Sequence, residues 1–346
     1  MKKVIVGMLI LAGLRSTVSP PVKAQSNPCV SQVGNGLLLG QPIPIPGMFD
    51  CITEGPFLSI CSVMNANCPP PAAASETCPT CALLQALAGL PISLASGNTF
   101  IRESDVSLPG LGGGLTLVRT WNSLWPASQA AVRVGLFGPN WRSTYEERLF
   151  VGTDNYLKYA RGDGSFWSFG FAGIQNGNVV MSLAAPANGG AGSVNFITYW
   201  TLYFTNGEKR NFDITSGNLI AIIDRNGNTT SLSYDSIDRL VTVTDPASRH
   251  LYFSYANGSS YLVTSVTSDF GVTLSYAYDA QGRLIQVTNP DSSTLSFSYD
   301  TNSFISSVTD SQSKTLESHT YDSFGHGLSS SRANGVDALT ISYGNP

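Results

Sequence analysis

Residues 274–299 read LSYAYDAQGRLIQVTNPDSSTLSFSY, and the fold follows from how this stretch is patterned. Apolar residues alternate with small ones ahead of each tyrosine, as Leu274, Tyr276, Tyr278 and again as Leu295, Phe297, Tyr299. A period of two marks a strand with one buried face. Between them lie a polar turn from Ala280 to Gly282, a second apolar run, Leu284-Ile285-Gln286-Val287, and the turn-forming pair Asn289-Pro290. The stretch is therefore two short strands and two turns, each six-residue strand being about 20 Å long.

The same grammar extends in both directions. Phe212-Asp213, Tyr234-Asp235, Tyr255-Ala256, Tyr278-Asp279, Tyr299-Asp300, Tyr321-Asp322 and Tyr343-Gly344 follow one another at intervals of 22, 21, 23, 21, 22 and 22 residues. A fixed period in this range signals a repeat architecture. Leu232 with Tyr234, Leu251 with Phe253 and Tyr255, and Leu339 with Ile341 and Tyr343 repeat the alternation, while Leu219 to Ile222 and Leu240 to Val243 repeat the second run. Asn226-Gly227 and Asp245-Pro246 close units in the manner of Asn289-Pro290. Two units, at Leu262 to Val266 and Phe304 to Val308, carry one more residue between their apolar positions, which predicts bulges there. The abundance of Thr, Ser, Val, Tyr and Gly, without any 3.6-residue stripe, argues against helix.

These residues carry a family resemblance. Tyr278-Asp279-Ala280-Gln281-Gly282-Arg283-Leu284 resembles the YD repeat of the RHS (rearrangement hotspot) proteins, a Tyr-Asp pair followed by two variable residues and Gly-Arg-Leu. Tyr234, Asp235, Arg239 and Leu240 match it with Asp238 in place of Gly, and Tyr321 and Asp322 match it with His326 in place of Arg. Tyr299-Asp300 and Tyr255 belong to more degenerate units. Upstream, the segment from Leu90 to Asn98, Leu108-Pro109-Gly110, Arg119-Thr120-Trp121-Asn122-Ser123 and Gly138-Pro139-Asn140-Trp141 resembles the domain of unknown function that commonly precedes the repeats in RHS polymorphic toxins. Trp121 stands there for Tyr and Asn140 for Gly. Together the two resemblances cover about residues 90 to 344.

The resemblance implies strands wound into a hollow shell around a C-terminal toxin, with a Pro-rich core motif ending in Asp-Pro-Xaa-Gly-Leu at the end of the shell. That motif does not occur in this sequence, and Tyr343-Gly344-Asn345-Pro346 falls inside a repeat. The expectation is the N-terminal part of such a protein, or a shortened relic of one. The expected fold is all-β: an antiparallel YD-repeat β-sheet array, forming a curved or partial shell, preceded by a β-rich domain and a Cys-rich N-terminal segment. The expected divisions are a signal peptide at 1–24, a Cys/Pro-rich disulfide segment at 25–89, the β-rich domain at 90–200 and the array at 201–346.

Composition agrees with a foldable β chain: 346 residues, 42% hydrophobic, 12% charged and 34 glycines. Lys2 and Lys3, the apolar stretch from Val4 to Leu14 and Val22-Lys23-Ala24 form a secretory signal whose core is too short to span a bilayer of about 30 Å. Its removal takes Lys2, Lys3, Arg15 and Lys23 and no acid, so the formal charge moves from −4 to −8. An acidic exported chain is a poor partner for nucleic acid or anionic lipid, and neither is expected, nor is a membrane span after cleavage. Cys29, Cys51, Cys61, Cys68, Cys78 and Cys81 are an even set behind an export signal and read as disulfides of undetermined pairing. The Cys78-Pro79-Thr80-Cys81 spacing suits redox or zinc chemistry, yet no second close pair and no His accompany it. The apolar run from Cys81 to Leu90 predicts one short helix.

Chemistry is hard to find in the rest. Of His250, His319 and His326, none sits in a metal or nucleophile motif. His319 alternates with Glu317 and Tyr321, an arrangement suited to acid–base work, but no third partner is evident and the plainer reading is a solvated or tolerated defect in a late repeat. Trp121, Trp125, Trp141 and Trp167 read as core in preference to sugar platforms. No catalytic, cofactor or metal residue is assigned. The reading is a noncatalytic scaffold of an exported RHS-type protein whose partner is a downstream RHS or toxin segment. The alternative is an adhesin-like module for a cell-surface glycan or protein, and an enzyme ranks third.

Overall fold

Each Tyr-containing strand ends in a one-residue register shift against its partner, and this irregularity shapes every repeat. In the computed structural model, Ser233 pairs with Thr242 but Tyr234 pairs with Leu240, leaving Val241 as the extra residue. The same shift falls before Tyr255, Tyr278, Tyr299 and Tyr321. A bulge of this kind turns the second strand so that residues three apart share a face. Leu240 and Val243, Val263 and Val266, Leu284 and Val287, and Ile305 and Val308 are accordingly all buried. The expectation of bulges confined to two slipped units is therefore corrected. Val263 and Ile305, not Leu262 and Phe304, align with Leu240, and the bulge belongs to every unit.

The structure describes most of residues 92–343, apart from 94–95, 125–134, 152–155, 177, 186–190, 197–198, 257 and 259. It also describes three short strands further upstream, Gly36–Leu38, Gln41–Ile43 and Leu87–Ala88. The signal sequence, all six cysteines and Trp125 lie outside the described residues. Leu87–Ala88 pairs antiparallel with Ile92–Ser93, so the helix expected over Cys81 to Leu90 gives way to extended chain where it is described. Every named strand pairing in the chain is antiparallel, as an all-β YD-repeat array requires.

The described chain divides into two units. The first holds residues 148–160 and 166–227. Its strands Arg148–Val151, Leu157–Ala160, Phe166–Gln175, Asn178–Ala185, Ala191–Phe196, Trp200–Phe204, Lys209–Phe212 and Leu219–Ile223 each pair with the next. The hairpin expected from Tyr156 to Phe169 is present, with Trp167 opposite Tyr159. Tyr159 meets the edges of Trp167, Phe204 and Phe212 at centroid distances of 5.7, 6.2 and 5.8 Å, an arrangement that aromatic quadrupoles favour.

The second unit holds residues 77–147, 161–165 and 228–346. Here the repeats run as Thr229–Tyr234, Leu240–Thr244, His250–Tyr255, Val263–Ser268, Thr273–Tyr278, Leu284–Thr288, Thr294–Tyr299, Ile305–Asp310, Thr315–Tyr321, Gly327–Arg332 and Leu339–Thr340, each antiparallel to its neighbour. Their apolar positions, among them Leu232, Phe253, Tyr276 and Phe297, turn to one buried face, while Ser233, Ser254, Ser275 and Ser298 are exposed on the other. The alternation read from the sequence is thus the inside-outside alternation of the sheet. Against the buried face packs the upstream segment, built on a long hairpin, Phe100–Leu108 with Leu115–Asn122, extended by Trp141–Ser143.

Candidate functional site

The repeat motif is a stitch, and each of its residues has a mechanical task. The aspartate Oδ1 accepts the backbone N–H groups two and four residues on, which fixes the turn. For Asp235 these are Ile237 at 3.1 Å and Arg239 at 2.9 Å, and for Asp279 they are Gln281 at 3.0 Å and Arg283 at 2.9 Å. Asp300 does the same with Asn302 and Phe304, and Asp322 with Phe324 and His326, all at 2.9 Å. The residue three after the aspartate has a left-handed backbone: Asp238 at φ 63°, Gly282 at 74°, Ser303 at 70° and Gly325 at 92°. That is why the family pattern carries Gly at this position and why its absence from two units is tolerated at some cost. Ser313, exposed at φ 59° in the equivalent turn, offers a direct check. Ser313→Gly is expected to stabilise the protein by about 0.5–1 kcal/mol in urea unfolding.

The second carboxylate oxygen holds the cation. Arg239 Nε donates to Asp235 Oδ2 at 2.7 Å and Arg283 Nε to Asp279 Oδ2 at 2.6 Å, while His326 Nδ1 lies 2.7 Å from Asp322 Oδ2. Partial burial pushes these carboxyls up, but the converging N–H and cationic donors outweigh it and hold all three below the usual carboxylate range. So fixed, the cation reaches the next tyrosine: the guanidinium carbon of Arg239 lies 4.6 Å from the Tyr255 ring centre and that of Arg283 4.7 Å from Tyr299. His326 faces Tyr343 at 5.5 Å.

The tyrosine hydroxyl completes the link by reaching back to a carbonyl of the preceding unit. Tyr255 donates to Leu240, Tyr278 to Val263 and Tyr299 to Leu284, each at 2.7 Å, and Tyr321 to Ile305 and Tyr343 to Gly327 at 2.8 Å. The acceptor is in every case the first residue of a second strand, or its equivalent. Tyr299→Phe, which deletes only this hydroxyl and orphans one carbonyl, is expected to cost about 0.5–1.5 kcal/mol in chemical denaturation. Two further members of the pattern escaped sequence reading. Asp245 and Asp310 sit in the turns between units, yet Asp245 takes the amides of Ala247 and Arg249 and the Arg249 side chain, and Asp310 takes those of Gln312 and Lys314. The spacing Asp-x-x-x-Arg in Asp245 to Arg249 was the available signal.

Where the upstream segment meets the repeats, its side chains cap the buried face. Trp141 packs edge-on to Phe297 at 5.2 Å, Phe137 lies 4.8 Å from Tyr276, and Trp121 is edge-on to Tyr321 at 6.1 Å. Trp121 and Trp141 are wholly buried and Trp167 nearly so, so none of these three is a platform for sugar. Among the aromatics lies one ion pair. Arg119 is 1% exposed, donates through Nη2 to Asp105 Oδ1 at 2.8 Å, and stands 4.9 Å over Trp141. Tyr276 of the repeats donates its hydroxyl to Asp105 Oδ2 at 2.7 Å.

One repeat breaks the apolar rule at this contact. The positions filled by Leu274 and Tyr276, or by Leu295 and Phe297, are filled by Glu317 and His319 in the unit that ends at Tyr321. His319 is 3% exposed, so of the two expected readings, solvated or tolerated, the solvated one is corrected: it occupies the same inward position as Phe297. Its Nε2 lies 3.3 Å from Glu317 Oε2, and its Nδ1 has no hydrogen-bond partner. Glu103 of the long hairpin is nearby in charge terms: burial raises its carboxyl to about 7, Arg119 opposes the rise, and Glu317 and Asp105 reinforce it. Glu103 can therefore hold or lose a proton near neutral pH. Among the described residues no group of three or more His, Cys, Asp or Glu side chains is placed to hold a metal ion.

A hydrogen-bonded array of hairpins, each linked to the last by tyrosine and aspartate, defines a β-hairpin repeat protein. The sequence comparisons specify the kind. The RHS Repeat family model matches residues 213–250, 262–294 and 278–315, and the model of a domain of unknown function, DUF6531, matches residues 89–169. The chain carries RHS repeats, preceded by a DUF6531 segment. No curated protein matches it. Among solved structures, the complex titled TcdB2-TccC3-Cdc42 is 16% identical over 68% of this chain and 12% of its own, with a TM-score of 0.28. A Tc holotoxin pore from Photorhabdus luminescens is 13% identical over 68% of this chain and 14% of its own, with a TM-score of 0.29. The chain thus spans a small part of the length of these similar structures. Among the described residues no helix is long and apolar enough to cross a membrane.

Proposed function

We propose that this chain is a noncatalytic structural scaffold: an exported RHS wall element, resembling the N-terminal part of a toxin-enclosing shell, whose task is to hold other polypeptide against its buried face. The observation that carries this reading is the role of the motif residues themselves. The Tyr, Asp and Arg of the motif spend polar atoms on their own turn or on a neighbouring unit, as Asp279, Arg283 and Tyr299 do, and so serve the wall itself. Trp121 and Trp141, the residues best suited to an adhesin's sugar contact, are spent on the packing of the upstream segment instead. The buried face has an affinity for chain, since Asp105, Phe137 and Trp141 of the upstream segment already lie on it through aromatic and hydrogen-bonded contacts.

The test has two parts. Limited proteolysis under native conditions is expected to leave the segment from 92 to 124 and from 135 to 147 intact until the repeats themselves unfold, as an integral wall requires. Release of that segment from folded repeats would overturn the reading. A screen of glycosides, esters and peptides is expected to show no turnover that depends on Glu317 or His319, and loss of a real hydrolytic activity in Glu317→Gln or His319→Gln would establish an enzyme in place of a scaffold.

A further inference from the structure

We propose that Glu103, Glu317 and His319 form a proton-operated latch, which holds the hairpin Phe100–Leu108/Leu115–Asn122 on the repeats while Glu103 is protonated and loosens it when that proton leaves. This inference concerns a conformational response and does not depend on what the scaffold encloses. It starts from the register of the hairpin. Ile101 pairs with Trp121 and Glu103 with Arg119, so these four side chains share one face. That face is turned to the repeats, because Trp121 meets Tyr321 and the Arg119 guanidinium lies 5.5 Å from the Tyr276 ring. Glu103 is therefore directed at the sheet just where the apolar rule fails.

The charges that face Glu103 can be set out by element. From the opposite strand of the hairpin comes Arg119; from its own strand, Asp105; from the repeat strand Thr315–Tyr321, Glu317. Arg119 is already committed to Asp105 through two hydrogen bonds. An ionised Glu103 would thus add a second carboxylate opposite Glu317, answered only by an Arg119 that it shares with Asp105. His319 is the remaining polar group in the contact, buried, with Nε2 on Glu317 and Nδ1 unpartnered. An apolar pair at 317 and 319 would pack as the other units do. A carboxylate and an imidazole placed there, and nowhere else in the array, are a departure of the sort that marks a working site.

The direction of the response follows from linkage. Glu103 rises from 4.5 to about 7 in the folded protein, so its contribution to holding the hairpin is complete below pH 4.5 and is lost as pH rises through 7. Between those limits the equilibrium for release grows by up to about tenfold per pH unit, and above them it levels off. The experiment is amide hydrogen exchange on the full chain at pH 5, 6, 7 and 8, with protection factors corrected for intrinsic rates and read over residues 100–108 and 115–122. Protection is expected to fall between pH 5 and 7 and then flatten, while the repeat strands from 229 to 288 keep theirs. Glu103→Gln is expected to abolish the pH dependence and to keep the strong protection at pH 8. Should that variant fold poorly, Glu317→Gln serves, since removing the facing carboxylate is expected to move the fall to lower pH. A hairpin whose protection does not change with pH overturns the latch, as does a Glu103→Gln or Glu317→Gln protein with the wild-type profile.

Discussion

Arg119→Ala is expected to destabilise the second unit by about 3–5 kcal/mol. The guanidinium is 1% exposed and is the only cation hydrogen-bonded to Asp105 among the described residues, so its removal leaves a buried carboxylate with just the Tyr276 hydroxyl for company. It also empties the space over Trp141, Phe137 and Tyr276, whose rings lie 4.9, 5.5 and 5.5 Å from the guanidinium carbon. The measurement is urea unfolding followed by tryptophan fluorescence. The double change Asp105→Leu with Arg119→Met removes both charges at similar volume and is expected to recover most of the loss, because the penalty lies in the stranded charge. If the double variant is as unstable as the single one, the ion pair is not the source of the effect.

Trp141→Ala is expected to cost about 3–5 kcal/mol as well, for a different reason. Trp141 is wholly buried, edge-on to Phe297 and beneath Arg119, and its truncation opens a cavity that neighbouring strands cannot collapse to fill. Trp141→Phe should recover about half of the loss, since it restores the ring contact without the full volume. Thermal unfolding monitored by near-ultraviolet circular dichroism is the check, and a loss below about 1 kcal/mol would mean that residue 141 is not a core anchor.

Much of the array was legible in the sequence because its determinants are local. The alternation ending in Tyr278 or Tyr299 needs only neighbours two residues apart, and the interval of 21 to 23 residues counts hairpins directly. The turn was legible too, since an Asp followed by a left-handed residue such as Gly282 is a short-range pattern. What escaped was everything set by strand pairing. The bulge beside Tyr234 belongs to the register between two strands, so counting apolar residues along Leu262 to Val266 found the bulge there and missed the same one in the other units. Whether His319 is solvated or buried was not legible, because a polar residue in a strand gives no hint of what lies across from it, and the hairpin carrying Glu103 is some two hundred residues earlier in the chain. Trp141 and Trp121 were assigned correctly to a core, though not to its partner rings Phe297 and Tyr321.

The hydroxyl of Tyr299 reaches a carbonyl at residue 284, that of Tyr321 one at 305 and that of Tyr343 one at 327. In each case the acceptor is synthesised before its donor. A nascent chain can therefore be zipped up from its N-terminal side, every newly emerging tyrosine locking down a hairpin that is already waiting, with no need to hold unpaired strands open for later sequence. The array is vectorial: it has a receiving end and a delivering end, and its order of closure is the order of translation.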